Sequence, residues 1–144
     1  MNFRPPEGDP AALGAVAAAA ALADGRLSAV ELTRAYLQQI ERCNTEINAY
    51  LHVDEPGALA QAAASDERRA RGSAHHPLDG IPFGIKDNIA VAGMPLTAGL
   101  EVRRQRIASE DAHCVAKLRR AGAVFLGKLH LHEGALGADS DNPF

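Results

Sequence analysis

Leu78 to Ile89 reads LDGIPFGIKDNI, and this stretch decides the fold. Ile81, Phe83 and Ile85 recur at period two with Pro82 and Gly84 between them, the pattern of a buried or half-buried strand. In that register Phe83, Ile85 and Asp87 share one face, and Lys86 lies on the other between the small Gly84 and Asn88. A desolvated ammonium is costly, and lysine relieves the cost by a lowered pKa, towards a neutral amine able to accept a proton. Lys86 is therefore a candidate general base. The alternative for a lone strand lysine is that it snorkels to the surface or pairs with Asp87 or another carboxylate, and the stretch alone leaves both open.

Upstream, Ala11–Ala23 is alanine-dominated and reads as a helix closed by Gly25, after a first ten residues that contain Pro and Gly and read as loose. Ser28 with Glu31 forms a capping box for the next helix, where Val30, Leu32, Tyr36, Leu37 and Ile40 make an apolar stripe. Ile47, Ala49, Leu51 and Val53 then alternate with polar or amphipathic residues, as a half-buried strand does. Pro56 opens a third helix that Gly72 stops. Downstream of Lys86, VAGMPLTAGL is too rich in Gly, Pro and Thr to be regular and reads as a binding loop. Ser109 is expected to cap a fourth helix with Glu110 and Asp111 in its first turn, Ala112, Val115 and Leu118 on its buried face, and Gly122 at its end. AVFLGKL follows as a short strand. Helices alternating with short apolar strands imply a layered α/β fold, with parallel pairing across the helical crossovers.

At 144 residues the chain is one domain or part of one, long enough to bury a real core. A formal net charge of −3 with both signs interspersed leaves no electrostatic footprint for nucleic acid or an anionic membrane. The longest apolar run is too short to span a bilayer and is preceded by Glu7 and Asp9 instead of a basic region, which points to a cytoplasmic protein. Cys43 and Cys114 have no cysteine near them in sequence and read as reduced thiols.

Three partial motifs are set aside. GAVFLGK (Gly122–Lys128) has the glycine and lysine spacing of a phosphate loop, but Leu129 stands where a metal-binding hydroxyl is needed, and the intervening residues favour a core strand. His130, His132 and Glu133 lack a further ligand at motif spacing, so no metal is expected there. DSDN (Asp139–Asn142) begins like a calcium loop, yet Pro143 follows and no glutamate does.

Taken in order, LDGIPFGIKDNI, VAGMPLTAGL, DAHCVAKLRRAGAVFLGKLHLHEGALG and DNPF resemble the opening part of the amidase signature family, from about Leu27 to Phe144. These are serine hydrolases of carbon–nitrogen bonds whose members include the A subunit of glutamyl-tRNA amidotransferase. The resemblance implies an α/β layered fold with a mixed sheet flanked by helices, present here only as its N-terminal part. It divides the single partial domain into residues 1–26, an N-terminal segment with the Ala-rich helix, and 27–144, the signature region. It also implies that Lys86 is the base of a Ser-cisSer-Lys triad. In that mechanism the neutral lysine takes a proton from a bridging serine, which deprotonates the nucleophilic serine; an acyl-enzyme forms, ammonia or an amine leaves, and water releases the acid. The implied substrate is a small-molecule amide, with no cofactor, no metal, no nucleic acid and no membrane. Asp87 and Asn88 are expected to hold the lysine strand, Thr97 or Gly99 to border the substrate, and Glu133 and Asn142 to serve structure.

Five serines are present: Ser28, Ser65, Ser73, Ser109 and Ser140. None lies in a glycine- and serine-rich segment like the one that gives the family its name, so the expectation is an amidase fragment that is inactive alone. Exposed edges should then drive self-association into a homo-oligomer or union with the missing C-terminal portion. The alternatives are the A subunit of a tRNA-dependent amidotransferase and a non-catalytic α/β module that binds a partner.

Overall fold

The computed structural model describes residues 8–144; the looseness expected for the start of the chain falls largely on residues 1–7, outside the described residues. After a 3-10 turn at Pro10–Ala12 come α1 (Ala15–Ala23), α2 (Ala29–Ile47), β1 (Tyr50–Val53), α3 (Glu55–Ala70), β2 (Pro82–Lys86), α4 (His113–Arg120) and β3 (Val124–Leu129). Short 3-10 turns at Glu101–Arg103 and Glu133–Ala135 punctuate the two long loops.

Local chemistry accounts for most of these boundaries. The Ser28 hydroxyl accepts from the Glu31 N–H at 3.1 Å, and the Glu31 carboxylate accepts from the Ser28 N–H at 2.8 Å, closing the capping box read from the sequence. Asp66 in α3 adds a second cap, its carboxylate accepting from the N–H groups of Ala29 (2.7 Å) and Val30 (3.1 Å), which locks α3 onto the start of α2. Three boundaries differ from the sequence reading. The Ala-rich helix breaks between the Pro10–Ala12 turn and α1, with Gly14 in an extended conformation at the N-cap. Helix α2 absorbs Ile47 and ends on Asn48 at φ 45, so β1 begins only at Tyr50. Helix α4 starts at His113 with Ala112 as N-cap, because Asp111 is already committed: its carboxylate accepts from Ala92 N–H (2.8 Å) and from Arg119 (2.7 Å). Ser109 therefore lies outside the helix start.

The sheet runs in the order β1-β3-β2. Strand β2 pairs with β3 in parallel across the α4 crossover, and β1 pairs with β3 antiparallel, so the sheet is mixed. Helices α1, α2 and α3 bury Leu22, Leu32, Leu37, Ala58 and Ala62 against Ile81, Val124 and Leu126 on one face. On the other, Phe125 and Ile85 pack with Val115 of α4 and with Val91 and Met94 of the following loop. Ile81 and Ile85 thus join opposite cores although strict period two puts them together. The register shift between Phe83 and Gly84 breaks the alternation and re-aims the end of β2.

Two glycines make the sheet possible. Gly127 sits at φ 151, and a Cβ there would fall 2.0 Å from the His52 carbonyl oxygen, so β1 and β3 approach closely only because position 127 has no side chain. At Gly84 a Cβ would lie 2.7 Å from the Tyr50 hydroxyl and 3.0 Å from Leu129 Cδ2. The space beside Lys86 that the sequence suggested is filled by Tyr50 and Leu129.

Candidate active site

Lys86 is the last residue of β2, and its side chain is exposed. The expectation of a desolvated amine at this position is not met within the chain. Its strand neighbours Ile85 and Asp87 are buried on the opposite side, as the alternation required. Ends of parallel strands at their C-terminal side are where open α/β sheets place ligands, and Lys86 stands at that end of β2.

Beneath it lies a polar cluster closed to solvent. Asp87 and Lys128 are both 0% exposed, with Lys128 Nζ 3.0 Å from Asp87 Oδ1. Register explains the meeting: Ile85 pairs with Lys128 and Lys86 with Leu129, so the residue after β2 comes beside the penultimate residue of β3. Lys128 also donates to the Pro95 carbonyl at 2.5 Å. Asp87 Oδ2 accepts from the Thr97 N–H (2.8 Å) and from the Thr97 hydroxyl (2.5 Å), while the Asp87 N–H donates to Leu129 O at 3.0 Å. Burial lowers the Lys128 pKa from its ordinary value, and the hydrogen bond and charge of Asp87 oppose that fall. His130 is lowered as well, by burial first, with the Asp87 charge working against it.

The flanking loops close around this cluster. Gly134 N–H donates to Ala98 O and Glu133 N–H to Asp141 O, each at 2.8 Å. Asn142 donates to Leu131 O at 2.8 Å and accepts from Phe144 N–H at 2.9 Å, the structural duty expected of it. Arg104 binds Glu101 with two hydrogen bonds (2.8 and 2.6 Å), donates to Pro143 O at 3.0 Å and stacks 4.4 Å over the Phe144 ring. His132 pairs with Asp139.

Several sequence readings change here. Asp87 does hold the end of the lysine strand, but its ionic partner is Lys128, which the sequence offered only as the last residue of a failed phosphate-loop motif. Thr97 and Gly99 are buried and face Asp87 and the Glu133 backbone, so neither borders an open substrate surface in this chain. The signal that would have found the cluster was a lysine inside the otherwise apolar strand VFLGKL, which requires a buried carboxylate. The serines lie elsewhere: Ser28 caps α2, Ser65 is buried in α3, Ser73 donates to Arg68 O, Ser109 precedes α4 and Ser140 is in the last segment. Cys43 is buried and Cys114 exposed, both as free thiols. Among the described residues, no group of three or more His, Cys, Asp or Glu comes together to hold a metal ion, and no helix is long and apolar enough to cross a membrane.

The chain is similar to known proteins over most of its length. The chain is 47% identical over 126 residues to the A subunit of the glutamyl-tRNA(Gln) amidotransferase from Chloroflexus aggregans, covering 88% of this chain and 26% of that protein. The native peptide amidase of Stenotrophomonas maltophilia superposes with a TM-score of 0.79 at 37% identity, over 92% of this chain and 26% of that one. A fatty acid amide hydrolase shares the fold at a TM-score of 0.88 and 24% identity, over 96% of this chain and 25% of that one. The chain thus spans about a quarter of the length of the relatives it matches. The family model described as Amidase matches residues 31–144, from the first turn of α2 through β2, β3 and the closing loop, and the chain belongs to that amidase signature family.

Proposed function

We propose that this chain is the lysine-bearing N-terminal portion of an amidase that hydrolyses a carbon–nitrogen bond of a small-molecule amide, with Lys86 as the base of a Ser-cisSer-Lys triad. The observation that carries the reading is the position of Lys86: an unburied amine at the C-terminal end of a parallel strand whose next residue is anchored in the core. The likeness to relatives about four times longer supports a further portion that brings the two serines and covers the amine. Covering it supplies the desolvation that disfavours a charged ammonium and favours the neutral, proton-accepting amine. The bridging serine then passes its proton to Lys86 and takes one from the nucleophile, and the acyl-enzyme and its hydrolysis follow. The single partial domain, with residues 1–26 leading into a signature region at 27–144, is part of the same reading, as are a cytoplasmic setting and union with the serine-bearing portion.

A second reading is favoured by the identity to the Chloroflexus protein: the chain belongs to the A subunit of a tRNA-dependent amidotransferase, which delivers ammonia with partner proteins. Joining the chain to a serine-bearing amidase portion tests both. Hydrolysis of simple primary amides supports the amidase, release of ammonia from glutamine or asparagine alone supports the amidotransferase, and no turnover of any amide speaks for a non-catalytic module.

A further inference from the structure

Lys128, and not Lys86, is the lysine that this fold removes from water. It lies inside β3 with every polar contact directed at the segment that follows Lys86: its ammonium is 3.0 Å from Asp87 Oδ1 and donates to Pro95 O at 2.5 Å. Asp87 in turn gathers Thr97 through Oδ2, and its own carbonyl accepts from Ala98 N–H at 3.3 Å. The Ile89 N–H donates to Lys86 O at 2.9 Å, so the peptide units on both sides of Asp87 are tied. A buried pair of this kind is seldom needed for stability, since apolar replacements of similar volume often serve as well. Its partners here lie at the end of β2 and in the loop that doubles back beside it.

We propose that Lys128 is a positioning residue for Lys86: through Asp87 it fixes the backbone at the end of β2 and clamps the 95–98 loop to it. The inference rests on the reading of Lys86 as the base. Misplacing a catalytic group by about 1 Å can cost about a hundredfold in rate, which is reason to hold it from below.

The test uses a neutral double variant, Asp87→Asn with Lys128→Met, which removes both charges without stranding either one. In this chain, amide exchange should quicken about tenfold at Asp87, Ile89, Thr97 and Ala98 while α2 and β1 exchange as before. In the chain joined to a serine-bearing amidase portion, kcat should fall about tenfold or more with KM within about twofold. Unchanged exchange, or quickened exchange with an unchanged kcat, overturns the proposal. Should the double variant fail to fold, Thr97→Val, which deletes only the hydroxyl bound to Asp87, is read by the same two measurements. Lys86→Ala separates the two claims: if it retains turnover, the assignment of the base fails, while the exchange data still report on the clamp.

Discussion

Asp79, at the entrance to β2, offers a test of what aims the strand. Its carboxylate is fully buried and takes a two-pronged contact from Arg68, with Nε 2.9 Å from Oδ2 and Nη2 2.7 Å from Oδ1, plus the His75 N–H at 2.9 Å. Arg69 donates to the Asp79 carbonyl, and the Gly80 N–H donates to Gly122 O at 2.9 Å. Burial on its own raises the carboxyl pKa, but the Arg68 and His75 hydrogen bonds and the Arg68 charge outweigh it and bring it down from 3.8 to about 2. At about 1.4 kcal/mol for each pH unit, that fall amounts to about 2 kcal/mol of stability. Because the folded value lies below the unfolded one, the contribution is whole above about pH 4 and is lost as pH falls towards 2. About 1 kcal/mol of it should be gone by about pH 3. In Asp79→Asn the titration disappears and Arg68 loses its charged partner. Urea unfolding followed by circular dichroism, at one fixed chain concentration, should therefore show the parent more stable near neutrality and the gap narrowing by about 1 kcal/mol between about pH 6 and pH 3. A gap that stays constant over that range refutes the assignment of the acid-labile stability to Asp79.

Other outcomes follow from the same geometry. Gly127→Ala drives a methyl group against the His52 carbonyl in a backbone conformation that L residues avoid, and should cost about 3 kcal/mol or more and detach β1; parental thermal stability would contradict the close approach. The Tyr50 hydroxyl is pushed up to about 12 by burial and then by Tyr36, so in an absorbance titration of the folded chain Tyr50 should ionise well above the ordinary value of 10; two tyrosines titrating together near 10 would contradict it. With β1 and β2 both at the sheet edges, the isolated chain should self-associate and hydrolyse no amide. A monomer by light scattering, or turnover that disappears in Lys86→Ala, would count against that.

Much of the architecture was legible because it rests on local chemistry. Ser28 and Glu31 announce a helix start whatever surrounds them, and the apolar run around Ile85 marks a strand, with Ile85 inside and Lys86 outside as read, although the register shift at Phe83 and Gly84 sends Ile81 to the opposite core. What escaped the sequence depends on distant partners. Ser109 has the look of a cap, but Asp111 is drawn to Ala92 and Arg119, and the helix waits until His113. Asp87 and Lys128 meet only because β2 and β3 lie in parallel register, which no local period reveals. The exposure of Lys86 has the same character: the chemistry proposed for it needs a dry amine, and among the described residues no side chain covers it.

The most direct test is therefore the amide hydrolysis rate of the chain joined to a serine-bearing amidase portion, compared between Lys86 and Lys86→Ala. The substitution should lower kcat/KM by about a thousandfold or more while the protein stays folded, as removal of a triad member does. A Lys86→Ala protein that hydrolyses its amide within about tenfold of the parent would contradict the claim that this chain supplies the base.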